Sequence, residues 1–149
     1  MATVFEKLNL KDQQEIVVLN APESFASELA ALPVLNLHHH LESVAEVGFF
    51  VGFVTRQNEV DALSAQVAQR AKGDAIVWFA YPKGTSKKLK CDFNRDTGWA
   101  VLKDAGFDTV RAIAIDEDWT ALRFRRLEFI NPASRSRAGM RGTSRGKAK

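Results

Sequence analysis

Lysines, hydroxyls and a glycine stand together at Lys83-Gly84-Thr85-Ser86-Lys87-Lys88, a mixture suited to holding a phosphate or a carboxylate. The run follows an apolar segment, Ala75 to Ala80, and precedes a helix-like segment that starts at Arg95. Open α/β sheets bind ligands beyond the carboxyl ends of their strands, and the amides of a helix N-terminus favour anions. Lys83 to Lys88 together with Arg95 is therefore the leading candidate for binding a small anion. The run lacks the Gly-x-x-x-x-Gly-Lys-Ser/Thr spacing that cradles nucleotide phosphates, which argues against nucleotide hydrolysis. The alternative is a solvated loop whose lysines keep the surface soluble.

Three further groups have side chains capable of chemistry. Asp116-Glu117-Asp118-Trp119 gathers three acids, enough to hold a cation or to serve as acid and base if other ligands join them. Acids are also common in tight turns for backbone reasons, Trp119 is expected to cap the core, and Arg95 or Arg111 could pair with the acids. Asp116, Glu117 and Trp119 are secondary candidates, with Asn20 at the end of the first apolar run. His38-His39-His40 is a weak metal signal, because on a strand the middle residue points away from the other two. Cys91 has Lys88 and Lys90 nearby to lower its pKa, but no histidine base is locatable beside it. No metal site and no cofactor are expected.

The composition narrows the class. The chain of 149 residues is 46% hydrophobic and 26% charged, as in soluble globular domains. It has no apolar run near the ~20 residues that span a bilayer and no signal-like start. With a single cysteine it has no intrachain disulfide and no multi-cysteine zinc site, so a cytoplasmic protein is expected. The net charge of +3 hides two regions: 131–149 has six basic residues and no acid, leaving 15 basic against 18 acidic groups before it, a net −3. The expected division is a domain over 1–130 and a basic disordered tail over 131–149. Phosphate neutralisation by that tail would be weak, non-specific and salt-sensitive, because it lacks aromatic residues for stacking on bases.

The elements that position these groups follow from apolar periodicity. Glu15 to Leu19 reads as a buried strand, broken by Asn20-Ala21-Pro22. Ser24 is placed to cap a helix carrying Phe25, Leu29 and Leu32. Val34 to Leu41 is a weaker strand. Val47 to Val54 is a strong one, whose Gly48 and Gly52 would let a neighbour approach. Val60, Leu63, Val67 and Ala71 make one stripe on a helix from Gln57 to Lys72, with Gly73 as its expected C-terminal cap. Ala75 to Ala80 is the next buried strand, and the strand–helix–strand pattern implies a right-handed parallel crossover. A helix from Arg95 to Ala105 follows, capped by Asn94 with Asp96 in its first turn and Gly106 past its end; Gly98 inside it would serve close packing on the sheet or on a ligand. Phe107 to Ile115 and Thr120 to Leu127 then form an antiparallel hairpin about Asp116 to Trp119. In its second strand Arg123 and Arg125 alternate with Leu122 and Phe124, leaving one face wet.

Val18-Leu19-Asn20-Ala21-Pro22-Glu23, Trp78-Phe79-Ala80-Tyr81-Pro82-Lys83, Arg95-Asp96-Thr97-Gly98-Trp99 and Ala114-Ile115-Asp116-Glu117-Asp118-Trp119 together resemble a family of small bacterial proteins of unassigned activity, domain of unknown function 3052. The likeness runs from about Phe5 to Ile130. It implies a three-layer Rossmann-like α/β fold with a mixed, mostly parallel sheet closed by a C-terminal antiparallel hairpin, similar to the C-terminal half of class I methyltransferases. It implies no reaction. Those enzymes set a glycine-rich turn after the first strand and an acid after the second. Here the turn is Asn20-Ala21-Pro22 and the second strand runs into three histidines. The expected function is a non-catalytic domain that binds a small anionic ligand or a protein partner. The alternatives are a divergent S-adenosylmethionine-dependent enzyme and a nucleic-acid-associated protein acting through its tail.

Overall fold

Runs of β-branched and aromatic residues build the middle of a six-stranded sheet. The structure, a computed structural model, describes residues 4–11, 13–32, 35–83, 91, 93 and 98–130. The strands are β1 (Glu15–Leu19), β2 (Asn36–His38), β3 (Val47–Phe53), β4 (Ala71–Pro82), β5 (Phe107–Ala114) and β6 (Trp119–Arg126). The helices are α1 (Val4–Lys7), α2 (Ala26–Ala30), α3 (Gln57–Arg70) and α4 (Ala100–Asp104), with 3-10 turns at Glu23–Phe25, Leu41–Ser43 and Leu127–Phe129. The strand order is β2-β1-β3-β4-β6-β5. The first four strands are parallel to their neighbours, and β6 pairs antiparallel with both β4 and β5. This is the expected Rossmann-like α/β sheet closed by a hairpin.

Alternation along the strands divides the core in two. Val17, Phe50, Val77, Phe79, Leu122 and Phe124 face one layer with α3 and α4. Ile16, Val18, Phe49, Val51, Phe53, Trp78 and Ala121 face the other, under Phe5, Leu8 and Phe25 of the N-terminal segments. A one-residue slip in any of these strands would exchange the two sets, so two-sided burial pins the register. Aromatic rings connect each layer. On the N-terminal side Phe5, Phe25, Phe53 and Trp119 follow one another at 5.5, 4.9 and 5.1 Å between centroids. On the other, Trp99 sits 5.8 Å from Phe79 and 5.0 Å from Phe124. Trp119 is buried where the hairpin meets the core, as expected.

Several local expectations are corrected. Ser24 caps no helix: a 3-10 turn starts at Glu23 and α2 follows without a side-chain cap, since Pro22 fixes an extended entry. α3 ends at Arg70, and the chain is already extended at Ala71. Gly73 is therefore not its cap but a left-handed residue, φ 56°, inside the early, exposed part of β4. Gly98 is not inside a helix; it lies just before α4 with φ 93°, a conformation that glycine adopts without steric cost. Gly52 does allow close approach, for a Cβ there would stand 2.7 Å from the Phe50 ring. Gly48 has open space instead. The helix expected from Arg95 is seen over Ala100–Asp104; Asn94, Arg95 and Asp96 lie outside the described residues. α1 was not expected at all.

Candidate functional site

The strand order places a reversal between β1 and β3. From β1 the chain steps outward to β2, then returns to β1's other side with β3. At such a point connections leave the sheet in opposite directions and open a crevice beyond the carboxyl ends. Leu19 pairs with Gly52, so Asn20-Ala21 and Val54-Thr55 form the two sides of that rim. Asn20 has φ 60° and is exposed. Asparagine is among the few side-chain-bearing residues that tolerate this region, and here it makes the turn that glycine would make. Pro22, two residues on, offers no amide donor.

The other side of the rim is already occupied by the chain's own acid. Glu59 Oε1 accepts hydrogen bonds from the Thr55 and Arg56 amides at 2.9 and 3.1 Å. These are donors a helix N-terminus leaves open, and the carboxylate also sits favourably in the helix dipole. Arg56, as N-cap, has no acceptor to return the bond, so only the Glu59 half of a capping box is made. A ligand anion at the start of α3 would have to displace or repel Glu59.

Beyond β3 the rim continues to β4. The Lys83 amide donates to the Asp118 carbonyl at 2.8 Å, which fastens the start of the basic loop to the hairpin. Lys83 is half-buried. Gly84, Thr85, Ser86, Lys87 and Lys88, like Arg95, lie outside the described residues. Beneath the rim Tyr81, Phe93 and Trp99 form a buried aromatic triangle with centroids 5.2–5.7 Å apart. Cys91 is half-buried and packs against this cluster.

The hairpin acids do turn chemistry. Asp116 Oδ1 accepts from the amides of Asp118 and Trp119 at 2.8 and 2.9 Å, closing an Asx-type turn, while Glu117 is exposed. His38 ends β2, so His39 and His40 lie past the strand and the expected alternation does not apply. His38 Nε2 lies 3.6 Å from Glu15 Oε1. Among the described residues no three His, Cys, Asp or Glu side chains cluster as metal ligands do.

Sequence reasoning passed over one cluster. Arg123 of β6 stands directly across from Arg111 of β5, and Arg125 lies two residues on, on the same face. Arg125 makes a bidentate pair with Asp74, Nε–Oδ1 2.7 Å and Nη2–Oδ2 2.6 Å. That bond holds the Asp74 carboxyl below its usual range and the Arg125 guanidinium above its own. Arg123 Nε is buried without a hydrogen-bond partner among the described residues. Burial first, then the charge of Arg125 and less so that of Arg111, lower the Arg123 pKa, while the charge of Asp74 opposes them. The expected wet face is thus half-buried and crowded with like charge; the signal was the Arg-x-Arg alternation, but the opposing Arg111 shows only once the hairpin register is known.

No family model matches the chain, and no curated protein matches it. Among solved structures it is similar to a SAM-dependent methyltransferase from Aquifex aeolicus, at 12% identity over 83% of this chain and 88% of that one, TM-score 0.56. It is also similar to a ribosomal protein L11 methylase from Lactobacillus delbrueckii subsp. bulgaricus, at 11% identity over 83% and 76% of the two chains, TM-score 0.52. The Methanococcus jannaschii fibrillarin pre-rRNA processing protein is similar at 11% identity over 78% and 67%, TM-score 0.50. Identities this low speak for the fold alone, and the fold they share with this chain is that of the class I methyltransferases.

Proposed function

We propose that this chain is a non-catalytic ligand-binding domain on a methyltransferase-like sheet, taking a small anionic ligand at the carboxyl-end rim of β1, β3 and β4. The reading is carried by one observation: Lys83 leaves β4 on the same rim at which the strand order reverses between β1 and β3. Glu59 already fills the start of α3, so the anion falls to Lys83 and the loop Gly84-Thr85-Ser86-Lys87-Lys88, with Arg95 beyond it. Asn20 lines the far side. Thermal-shift screening of the full chain against nucleotides, phosphosugars and dicarboxylates tests this. A ligand that raises the melting temperature, with the rise lost in Lys87→Ala and Lys88→Ala, is the expected result; no stabilising ligand in the set would sink the reading.

The left-handed turn at Asn20 favours a second reading, in which the ligand is S-adenosylmethionine and the domain a divergent relative of the enzymes whose sheet it shares. Asn20-Ala21-Pro22 gives that cofactor fewer amides than a glycine-rich turn. Calorimetry with S-adenosylmethionine and S-adenosylhomocysteine separates the two, since heat saturating at micromolar ligand supports the second. We further assign the chain to the small bacterial domain family 3052, a cytoplasmic setting, and a division into a domain over 1–130 and a basic extension over 131–149. These rest on the quoted motifs and the charge distribution.

A further inference from the structure

Among the described residues, no helix packs over the part of the sheet face that carries Arg111, Arg123 and Arg125. On this face the N-terminal segments pack over the middle of the sheet: Phe5 lies 6.2 Å from Phe49, Phe25 lies 4.9 Å from Phe53, and the Trp78 indole donates to Leu8. α4 covers the opposite face, where Leu102 and Phe107 share a core layer. Over the β5–β6 end lie Arg111 and Val110, both exposed, and half-buried Arg123.

Its charges are unevenly matched. Asp74 is committed to Arg125. Asp108, across from Arg125, is buried and its Oδ1 accepts the Thr109 amide. Both acids are bonded at the Arg125 end, from which the Asp74 charge also reaches Arg123. The Arg111–Arg123 end has a directly opposed like-charge pair, which is destabilising, and a buried guanidinium N–H with no acceptor. Arg126, on the other face, shows what a structural arginine looks like here: it donates to the Ala68 and Ala71 carbonyls at 3.3 and 2.8 Å and lies 4.7 Å over the Phe107 ring. Arg123 has no such partners among the described residues.

An anion would offset the charge at this end, and the sequence of 131–149 contains no acid. Residues 131–149 carry Arg135, Arg137, Arg141, Arg145, Lys147 and Lys149 and no acid. That segment begins six residues after Arg125 in the sequence and adds basic charge without acid. A strand face rich in arginine, in a chain that also carries an acid-free basic sequence, matches a polyanion better than a small molecule in a cavity, and planar guanidinium groups match phosphate oxygens in pairs. We propose that the Arg111–Arg123 face binds the phosphate backbone of a single-stranded nucleic acid, with the neighbouring Arg125 held in place by Asp74. The phosphate oxygens lie against exposed Arg111 and the solvent-facing part of half-buried Arg123, and they offset the opposed charges of that pair.

The test is fluorescence anisotropy of the full chain with a short labelled single-stranded RNA across a salt series, comparing wild type with Arg111→Ala/Arg123→Met. Two phosphate contacts at about 0.7 each in the single-strand salt slope predict that the double variant flattens log K against log salt by about 1.4. At low salt its affinity falls at least about ten-fold, while Lys103→Ala on α4 binds as wild type does. Arg123→Met should melt at or above the wild-type temperature, because it removes a bare buried charge. Unchanged slope and affinity overturn the proposal, as does an Arg123→Met chain that melts lower yet binds RNA normally. Poly-glutamate that displaces the RNA at equal charge concentration assigns the face to an acidic protein and overturns it too.

Discussion

Asp74 and Arg125 show how a single contact reads out in pH. The Arg125 hydrogen bond is the main cause that draws the Asp74 carboxyl below its ordinary 3.8, and partial burial opposes it. A depressed folded pKa means that the unfolded chain takes up the proton first. The stabilisation is therefore complete above the unfolded value and is lost as pH falls below about 4 toward the folded one. Both side chains are about one-third exposed, and solvent screening limits such a pair to roughly 1 kcal/mol. Asp74→Asn should lower stability by up to that amount at pH 7, and the gap between the variants' melting temperatures should narrow as pH falls below about 4. A gap that does not narrow would mean that the contact acts by packing, not charge. Gly98 is the other residue whose role is local. It combines φ 93° with a Cβ position 2.7 Å from Gln57 Oε1, and its carbonyl accepts from Gln57 Nε2 at 2.9 Å. Gly98→Ala should cost about 1–3 kcal/mol in urea unfolding, since both the backbone and the Gln57 contact must shift. A loss below about 0.5 kcal/mol would show that this turn rearranges freely.

Helices and strands here differ in where their instructions lie. β1 is legible because Ile-Val-Val-Leu is a local apolar run, and it matches the expected Glu15–Leu19 residue for residue. α3 is legible because Val60, Leu63 and Val67 recur on one face, and Val60 and Val67 are buried. The extent of β4 was not, because Ala71-Lys72-Gly73-Asp74 is polar and joins the sheet by pairing Ala71 with Val47, a partner distant in sequence. α1 is only four residues long, below what an isolated helix sustains. Its signal is tertiary: Phe5 packs on Phe25 and Phe49, and Trp78 Nε1 donates to Leu8 O at 2.8 Å in the core. Trp78→Phe keeps most of the ring and leaves that carbonyl without its donor, which should cost about 1–3 kcal/mol. Hydrogen exchange should show the loss concentrated at the amides of Leu8, Asn9 and Leu10, which close the end of α1. Uniform loss over the whole sheet would mean that α1 is not a separable latch. On the opposite face of the sheet, Glu59→Ala frees the Thr55 and Arg56 amides and should cost about 1 kcal/mol. If the proposed ligand prefers the start of α3 to Lys83, that variant would bind it more tightly.

At the scale of the molecule, charge and core belong to different parts of the chain, and this separation explains what the sequence could and could not convey. The two-sided sheet was legible because both sets of apolar residues alternate within short runs, and the hairpin because Asp116 to Trp119 carries turn chemistry. The leading site was legible only as composition, since it depends on which strand ends share a rim. The arginine face was not legible, since Arg111 and Arg123 meet only through the β5–β6 register. Among the described residues the last buried side chain is Ile130, 5% exposed, and each core residue precedes the acid-free segment. A chain ending after Ile130 should therefore melt within about 2 °C of the full one, because it keeps every buried apolar side chain of the described residues. Its net charge becomes −3 in place of +3, so at pH 7 it should pass a cation exchanger that retains the full chain. Its weaker RNA binding should still respond to Arg111→Ala/Arg123→Met, because those guanidinium groups stay on the sheet. If truncation instead lowers the melting temperature by many degrees, residues 131–149 take part in the fold, and the arginine face is then covered or completed by the chain itself.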